Sequence, residues 1–413
     1  MKVAIEARLP DPKASGGVSQ AIISLASALS GLRDCRQDEE FVFIVRASAG
    51  PWLDPHVSGP CRLHRISPSW KKRLGALPGG NLLRAMAQKA RALQPPPQPV
   101  IAASDGLAES LGADIIHFPT QEGYLTSLPS IYQPHDLQHL HLPEYFPADE
   151  LAWRTLAYPA YCNKADCVLV ESSWTKDDVA RQYGIAPEKI AVCPFPPATG
   201  GYREPDAMEV SALKGKLRHQ DFIFYPANTW PHKNHLRLIE ALALLRREGL
   251  IVPLVCTGRT TAFLSEIEAA IGGHGLGSQI LFMGYMEESE IKALYRLCRA
   301  VVVPTKFESV SFPVWEAFQA EKPVACSNVT ALPGQVGQAG LLFGPDDVPA
   351  IAAAVRALWQ DAGLREDLGR RGAARLAEFS LDRMALHMRA LYRKLAGSMD
   401  DGDRAVLAAT PLI

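Results

Sequence analysis

The sequence predicts an α/β protein made of two parallel-sheet domains that face each other across a cleft. Three observations predict it. Short apolar runs alternate with stretches of helical periodicity almost from end to end, which is the signature of βαβ units. The alternation restarts, more regularly, near residue 222. Between the two halves lies Pro194-Phe195-Pro196-Pro197-Ala198-Thr199-Gly200-Gly201, a Pro/Gly cluster that the interior of neither a strand nor a helix tolerates.

Strands are expected first at 3–5, 41–45, 114–118, 130–133 and 167–171, each a short apolar run, with helices at 18–32 and 148–165 between them. In the second half, strands are expected at 222–225, 252–256, 280–283, 300–303, 323–326 and 341–343, with amphipathic helices at 235–248, 261–271, 288–297, 313–320 and 349–359 filling the gaps. A long helix at 380–395 ends the pattern. The expected domains are therefore 1–198 and 199–379, followed by 380–413, a helix and tail able to pack back on the N-terminal domain. The proline-rich stretch 94–99 reads as a surface loop.

The 413 residues carry 43 basic and 44 acidic side chains, a formal net charge of −1, with 47% hydrophobic and 21% charged residues. Such a chain buries cores in two or three domains and is neither disordered nor a nucleic-acid coat, so no nucleic-acid partner is expected. Eight cysteines (Cys35, Cys61, Cys162, Cys167, Cys193, Cys256, Cys298, Cys326) form no CxxC pair or zinc-spaced cluster and read as buried free thiols in a reducing cytosol. The N-terminal run turns acidic at Glu6 before a signal-peptide core forms. No apolar stretch reaches the roughly 18–20 residues of a membrane span, and a cytoplasmic protein is expected.

Glu308 and Glu316 form the most informative group, after the strand at 300–303 and on either side of Pro313, which suits the first turn of a helix. Ser309, Val310, Ser311 and Phe312 should form a loop whose amides leave a helix N-terminus, an anion site able to take a diphosphate. Glu308 would stand beside the ligand and Glu316 about one turn into the helix; the plain alternative is a turn cap and a surface helix residue. Lys233 lies on the loop after the first strand of the second half, within reach of phosphates at the sheet's carboxyl edge, or is simply a solvated lysine. Gly16-Gly17 follows the first strand and opens the first helix without a full GxGxxG, so it permits close backbone approach or is a tight turn. His135 ends the strand at 130–133, placed to meet a substrate hydroxyl, with Asp136 to orient it or bind a hydroxyl itself. His135, His139 and His141 converge poorly for a metal, and none is expected.

On these residues, across nearly the whole chain, the sequence resembles the retaining GT-B glycosyltransferases of family 4. The motifs are the Glu308/Glu316 pair at E-x7-E spacing, the Lys233 loop, the Gly16-Gly17 turn and the His135-Asp136 strand end. Segments 134–144 and 171–176 are similar to a bacterial branch of mannosyl- and rhamnosyl-type transferases that assemble surface polysaccharides. The resemblance implies two Rossmann-like domains, with acceptor recognition by the N-terminal one and nucleotide-sugar binding by the C-terminal one. It implies a nucleotide-sugar donor, a glycan or lipid-linked acceptor, and neither cofactor nor metal. Glu316 would bind ribose hydroxyls, and Glu308 the donor sugar. The amides of Ser309, Val310, Ser311 and Phe312 would take the sugar and diphosphate, with Gly17 also on the donor side. Lys233 would neutralise the leaving diphosphate, His135 would stabilise sugar or acceptor, and Gly16 and Asp136 would lie on the acceptor side.

One departure stands out: many members carry an arginine five residues before the lysine, where this chain has Asn228, and Arg259 is the nearest substitute. A sugar-nucleotide epimerase of similar architecture and a degenerate nucleotide-binding scaffold subunit are the competing readings. The balanced charge also hides an asymmetry. Arg62, Arg65, Lys71, Lys72, Arg73, Arg84, Lys89 and Arg91 are eight positive charges with no acidic residue between Asp54 and Asp105, leaving the remainder of the chain at −9. With apolar residues interleaved, 62–91 is either a solvated basic loop or a peripheral contact with an anionic membrane, at the inner face of which a lipid-linked acceptor would lie.

Overall fold

The computed structural model describes residues 1–12, 15–67, 99–198, 203–409 and 413. Most of the expected basic segment 62–91, nearly all of the proline-rich stretch 94–99 and the end of the 194–201 linker lie outside the described residues. The chain divides into two units. The N-terminal unit holds Met1–Leu169, Val179–Ala191 and Ala385–Ala408; the C-terminal unit holds Val170–Asp178, Val192–Met384 and Ala409–Ile413.

Seven strands form the N-terminal sheet: β1 Lys2–Glu6, β2 Glu40–Arg46, β3 Cys61–Ile66, β4 Ile115–Phe118, β5 Ser130–Tyr132, β6 Cys167–Val170 and β7 Ile190–Val192, in the order β3-β2-β1-β4-β5-β6-β7. The inner strands β4, β5 and β6 are buried on both faces, as continuous apolar runs in a parallel sheet require. The edge strand β3 is absent from the sequence expectation. Its residues Cys61-Arg62-Leu63-His64-Arg65-Ile66 pair in parallel with β2, and the charged residues face outward. Two of the eight basic residues are thus structural: Arg62 Nη1 donates to the carbonyls of Gly59 and Cys61, at 2.7 and 2.8 Å, and Arg65 Nη2 lies 2.5 Å from Asp54 Oδ1.

The C-terminal unit has six parallel strands: β8 Ile223–Pro226, β9 Leu254–Thr257, β10 Ile280–Phe282, β11 Ala300–Val303, β12 Val324–Ser327 and β13 Gly340–Phe343, ordered β10-β9-β8-β11-β12-β13. Helices His235–Arg247, Leu264–Gly273, Glu288–Leu297, Phe312–Gln319 and Val348–Gln360 alternate with them, and Phe222, Phe224, Tyr225, Trp315 and Phe318 are fully buried in the core. Helices Ser173–Tyr183, Ala207–Lys216, Ala362–Ala377 and Asp401–Ala409 were not expected from the sequence. In both sheets the strand order reverses beside the first strand, between β1 and β4 and between β8 and β11. Those reversals open the crevices in which such sheets bind ligands.

The helix Leu381–Leu395 begins in the C-terminal unit and ends in the N-terminal one. There Arg393 Nε and Nη2 reach the two carboxylate oxygens of Glu39 at 2.6 and 3.0 Å, and Nη1 lies 3.2 Å from Asp403 Oδ1. Arg389 pairs with Asp34 at 2.8 Å, and the Tyr392 hydroxyl bonds His117 Nδ1 at 2.8 Å. All eight cysteines are free thiols, seven of them buried and Cys35 half-buried. Among the described residues no helix is long and apolar enough to cross a membrane.

The Arg393 and Glu39 side chains are only 5% and 2% exposed, and without Glu39 the guanidinium keeps Asp403 as its buried partner while losing the two bonds to Glu39. Glu39→Ala is expected to lower the unfolding free energy of the full chain by about 1–3 kcal/mol in urea denaturation; a loss within about 0.5 kcal/mol, the size of a surface substitution, would show that the pair does not anchor the helix.

Candidate active site

In the C-terminal unit the crevice lies between the loop that leaves β8 and the loop that leaves β11. Asn234 joins them. Its backbone is left-handed (φ 61°), a conformation that asparagine tolerates, and its side-chain amide donates to the carbonyls of Pro304 and Pro345 at 2.8 and 2.7 Å. The Lys306 amide donates to the His232 carbonyl at 2.8 Å, and the Tyr225 hydroxyl to the Lys233 carbonyl at 2.7 Å.

These braces bring Lys233 and Glu308, 75 residues apart, into a direct ion pair. Lys233 and Glu308 side chains are 21% and 14% exposed, so neither is a solvated surface charge. The Glu308 backbone is held in turn by Thr330, whose hydroxyl donates to its carbonyl at 2.5 Å and accepts from its amide at 3.2 Å. Three residues on, buried Gln335 does the same for Ser311: its Oε1 accepts from the Ser311 amide at 2.9 Å and its Nε2 donates to the Ser311 carbonyl at 2.8 Å. The expectation that the Ser311 amide serves an anion is corrected, because Gln335 already occupies it. The amides of Ser309, Val310 and Phe312 have no hydrogen-bond partner among the described residues. They stand at the N-terminus of Phe312–Gln319, with Pro313 inside its first turn, where the helix dipole favours negative charge.

Glu316 is half-buried and accepts a hydrogen bond from the Tyr295 hydroxyl at 2.6 Å. Burial raises its pKa above the ordinary carboxyl range, and the Tyr295 bond only partly offsets this. It is therefore not a solvated helix residue. At the foot of the β8 loop, Asn228 Oδ1 accepts from the Arg259 amide at 2.8 Å, so Asn228 braces the start of the Arg259 loop. Gly258 has φ +129°, and a Cβ there would lie 2.6 Å from the Ala227 carbonyl carbon, so these two loops approach more closely than any side chain permits. His232 and His235 flank Lys233, and burial, reinforced by that lysine, pushes their pKa values down to about 2 and about 3. Neither histidine therefore carries a charge at neutral pH.

Gly16, Gly17, His135 and Asp136 belong to the N-terminal unit. Gly16 (φ 53°, ψ −123°) adopts a backbone that only glycine enters readily and caps the helix Gly17–Ser30, in which Gly17 is the first residue. His135 is buried and also left-handed, with φ 63°. Its Nε2 lies 3.1 Å from the Pro119 carbonyl, which can only accept, so Nε2 carries the proton; Nδ1 lies 3.4 Å from Gln133 Nε2. Asp136 accepts from the Gln138 amide at 2.9 Å, turning the chain into the next helical turn. Sequence reasoning missed Tyr295, Thr330, Gln335 and Asn234. Only Gln335, a polar residue inside an apolar stretch, carried any local sign.

Two family models match the chain: Glycosyltransferase Family 4 over residues 15–195 and Glycosyl transferases group 1 over residues 211–375. The chain belongs to glycosyltransferase family 4. This family 4 chain is 28% identical over 270 residues to O-antigen chain mannosyltransferase B of Escherichia coli, across 62% of its own length and 71% of that protein. It is 31% identical over 178 residues to the serotype-specific mannosyltransferase WbdA of Escherichia coli, 42% of the chain but only 22% of WbdA. Among solved structures it is similar to sucrose-phosphate synthase from Thermosynechococcus elongatus (TM-score 0.71, 20% identity, covering 96% of this chain and 100% of that one). It is also similar to Anabaena HepE in complex with UDP and glucose (TM-score 0.68, 18% identity, 96% and 99% covered). Both have the GT-B fold of two Rossmann-like domains.

Two outcomes follow from this geometry. A carboxyl whose pKa is raised by folding binds its proton more tightly in the folded chain, so its ionisation costs stability above the ordinary carboxyl range and the cost vanishes as pH falls below it. Glu316→Gln should therefore raise the thermal midpoint of the ligand-free family 4 chain at neutral pH, with the gain disappearing in acid; a lower midpoint at neutral pH would contradict the burial argument. Gln335→Leu strands the Ser311 amide and carbonyl and should cost about 1–3 kcal/mol in chemical denaturation; an unchanged stability would mean the loop is held elsewhere.

Proposed function

We propose that this chain is a retaining hexosyltransferase that moves a mannose- or deoxyhexose-like sugar from a nucleotide-sugar to a glycan or lipid-linked glycan acceptor in surface polysaccharide assembly. The observation that carries the reading is the Lys233–Glu308 pair at the strand-order reversal of the C-terminal sheet, beside three amides at a helix N-terminus. An ion pair so placed offers a cation to a diphosphate and a carboxylate to a sugar. The mannosyltransferase relatives support the choice of sugar class, and the bound UDP of HepE supports a nucleotide ligand.

In this reading Glu316 accepts hydrogen bonds from the ribose hydroxyls, and the Tyr295 hydroxyl fixes its carboxylate in place. The amides of Ser309, Val310 and Phe312 take the donor's sugar and phosphate oxygens. Lys233 leaves Glu308 for the diphosphate as negative charge builds on it, while Glu308 turns to a hydroxyl of the donor sugar. The acceptor oxygen attacks the anomeric carbon from the face on which the carbon–oxygen bond to phosphate breaks. Its proton passes to a phosphate oxygen, giving glycoside and nucleoside diphosphate with configuration retained, and no side chain is required as nucleophile or metal ligand. His135 acts as a hydrogen-bonding group toward sugar or acceptor. A lipid-linked acceptor would suit the basic stretch 62–91 if its charges meet an anionic membrane.

Thermal shift with UDP-, GDP-, ADP- and dTDP-sugars tests the donor, since a ligand at 100 times its Kd stabilises by about 2.7 kcal/mol. One nucleotide series should stabilise the chain and support transfer with retained anomeric configuration, read by NMR of the product. Glu316→Ala should weaken that binding, and Lys233→Ala and Glu308→Ala should lower turnover. Binding without acceptor-dependent release of nucleoside diphosphate would favour an epimerase, and no binding at all a scaffold; either overturns the proposal.

A further inference from the structure

His135 is 7% exposed, and a series of buried polar side chains stands behind it. In the N-terminal sheet His117 of β4 pairs with Ile131 of β5, and the Gln133 amide carries the ladder on by donating to the Phe118 carbonyl at 3.0 Å. Paired residues of a ladder share a face and alternate residues return to it, so His117 and Gln133 lie on one face of the sheet. Both are fully buried. The Tyr392 hydroxyl lies 2.8 Å from His117 Nδ1, and Gln133 Nε2 lies 3.4 Å from His135 Nδ1. His135 Nε2 meets the Pro119 carbonyl at 3.1 Å. Tyr392, His117, Gln133 and His135 thus form one series, all within the N-terminal unit.

The series has a direction. Burial pushes the His117 pKa down to about 3, so at neutral pH its ring carries one proton. Beside a neutral imidazole a phenol donates, which places the His117 proton on Nε2. The side chain that favours this proton is Gln133. Nε2 is not within full hydrogen-bond geometry of any described residue, so the contact is a long one; in a dry interior it still decides which end of an amide turns to a ring N–H. With its oxygen toward His117, Gln133 presents its NH2 group to His135, and Nδ1 of that ring has to accept. The flipped amide would turn its oxygen to Nδ1 and favour a proton there. Tyr392 stands at the far end of the series and chooses between the two.

We propose that Tyr392 is a positioning residue for His135: through His117 and Gln133 it keeps His135 Nδ1 unprotonated, ready to accept from a substrate hydroxyl. That the hydroxyl belongs to a sugar rests on the transferase reading; the protonation pattern does not, and it is read in the ligand-free chain. Long-range proton–nitrogen NMR of the full chain carrying isotope-labelled histidine distinguishes the two ring nitrogens, and His117→Gln and His135→Gln assign the signals by their loss. At neutral pH both rings should carry the proton on Nε2 alone. Tyr392→Phe removes one oxygen and keeps the ring that packs 5.8 Å from Phe41. It should move His135 toward protonation at Nδ1 and lower kcat about fivefold, the effect of one neutral hydrogen bond. Gln133→Met, which cuts the series in the middle, should give the same His135 pattern. Phe41→Leu, which loosens the packing of Tyr392 and leaves its hydroxyl, should lower the thermal midpoint without changing that pattern. A proton on His135 Nδ1 in the wild-type chain, an unchanged His135 in Tyr392→Phe or Gln133→Met, or the same change in Phe41→Leu overturns the proposal. A pattern that depends on Tyr392 in a chain that transfers no sugar would leave the series standing and remove the transferase reading.

Discussion

Both hydrogens of one side-chain amide hold the C-terminal site together. A strand-order reversal only brings two loops near each other; Asn234 locks them by donating to carbonyls of Pro304 and Pro345, one on the β11 loop and one beyond β13. Because Asn234 also caps the helix His235–Arg247, the same residue fixes where that helix starts and where Lys233, immediately before it, must sit. The lysine faces Glu308 as a consequence, since the Lys306 amide on the opposite loop is bonded to the His232 carbonyl. A change at Asn234 would disturb the helix, the loop and the ion pair together.

The loop carrying Glu308 is rigid without being a strand or a helix. Thr330 and Gln335 each offer one donor and one acceptor to a single residue's amide and carbonyl, which is the pairing a neighbouring strand would supply. Between those two clamps, Ser309 and Val310 are spared, and the helix that follows begins with its own unpaired amide at Phe312. Donors fixed in this way are already aimed, so an anion bound there would need little reorganisation of the loop. Pairing Lys233 with Glu308 keeps both charges satisfied until then.

Much of this was legible in the sequence, for reasons that differ by residue. Inner strands such as Ala300–Val303 and Cys167–Val170 are apolar on both faces and announce themselves, whereas edge strand Cys61–Ile66 alternates arginine with apolar residues and looks like a basic loop. Glu308, Glu316 and Lys233 stand out in the sequence because they sit at strand ends and helix starts, places that local pattern locates. The Ser311 amide was misread since its partner, Gln335, is 24 residues away and reaches it only through the tertiary fold. Tyr295 was invisible for the same reason: on its own helix it is one more aromatic of an amphipathic face, and only packing sets its hydroxyl against Glu316.

The helix Leu381–Leu395 has a consequence for anyone who would recombine this protein with a relative. Its second half, with Arg389, Tyr392 and Arg393, is bonded to Asp34, His117 and Glu39 of the N-terminal unit. A chimera joined at a single point near residue 198 would separate those partners into different parents and leave Arg393 facing a foreign surface. Swapping halves with a relative must therefore be done with two junctions, so that Ala385–Ala408 travels with the N-terminal sheet it serves.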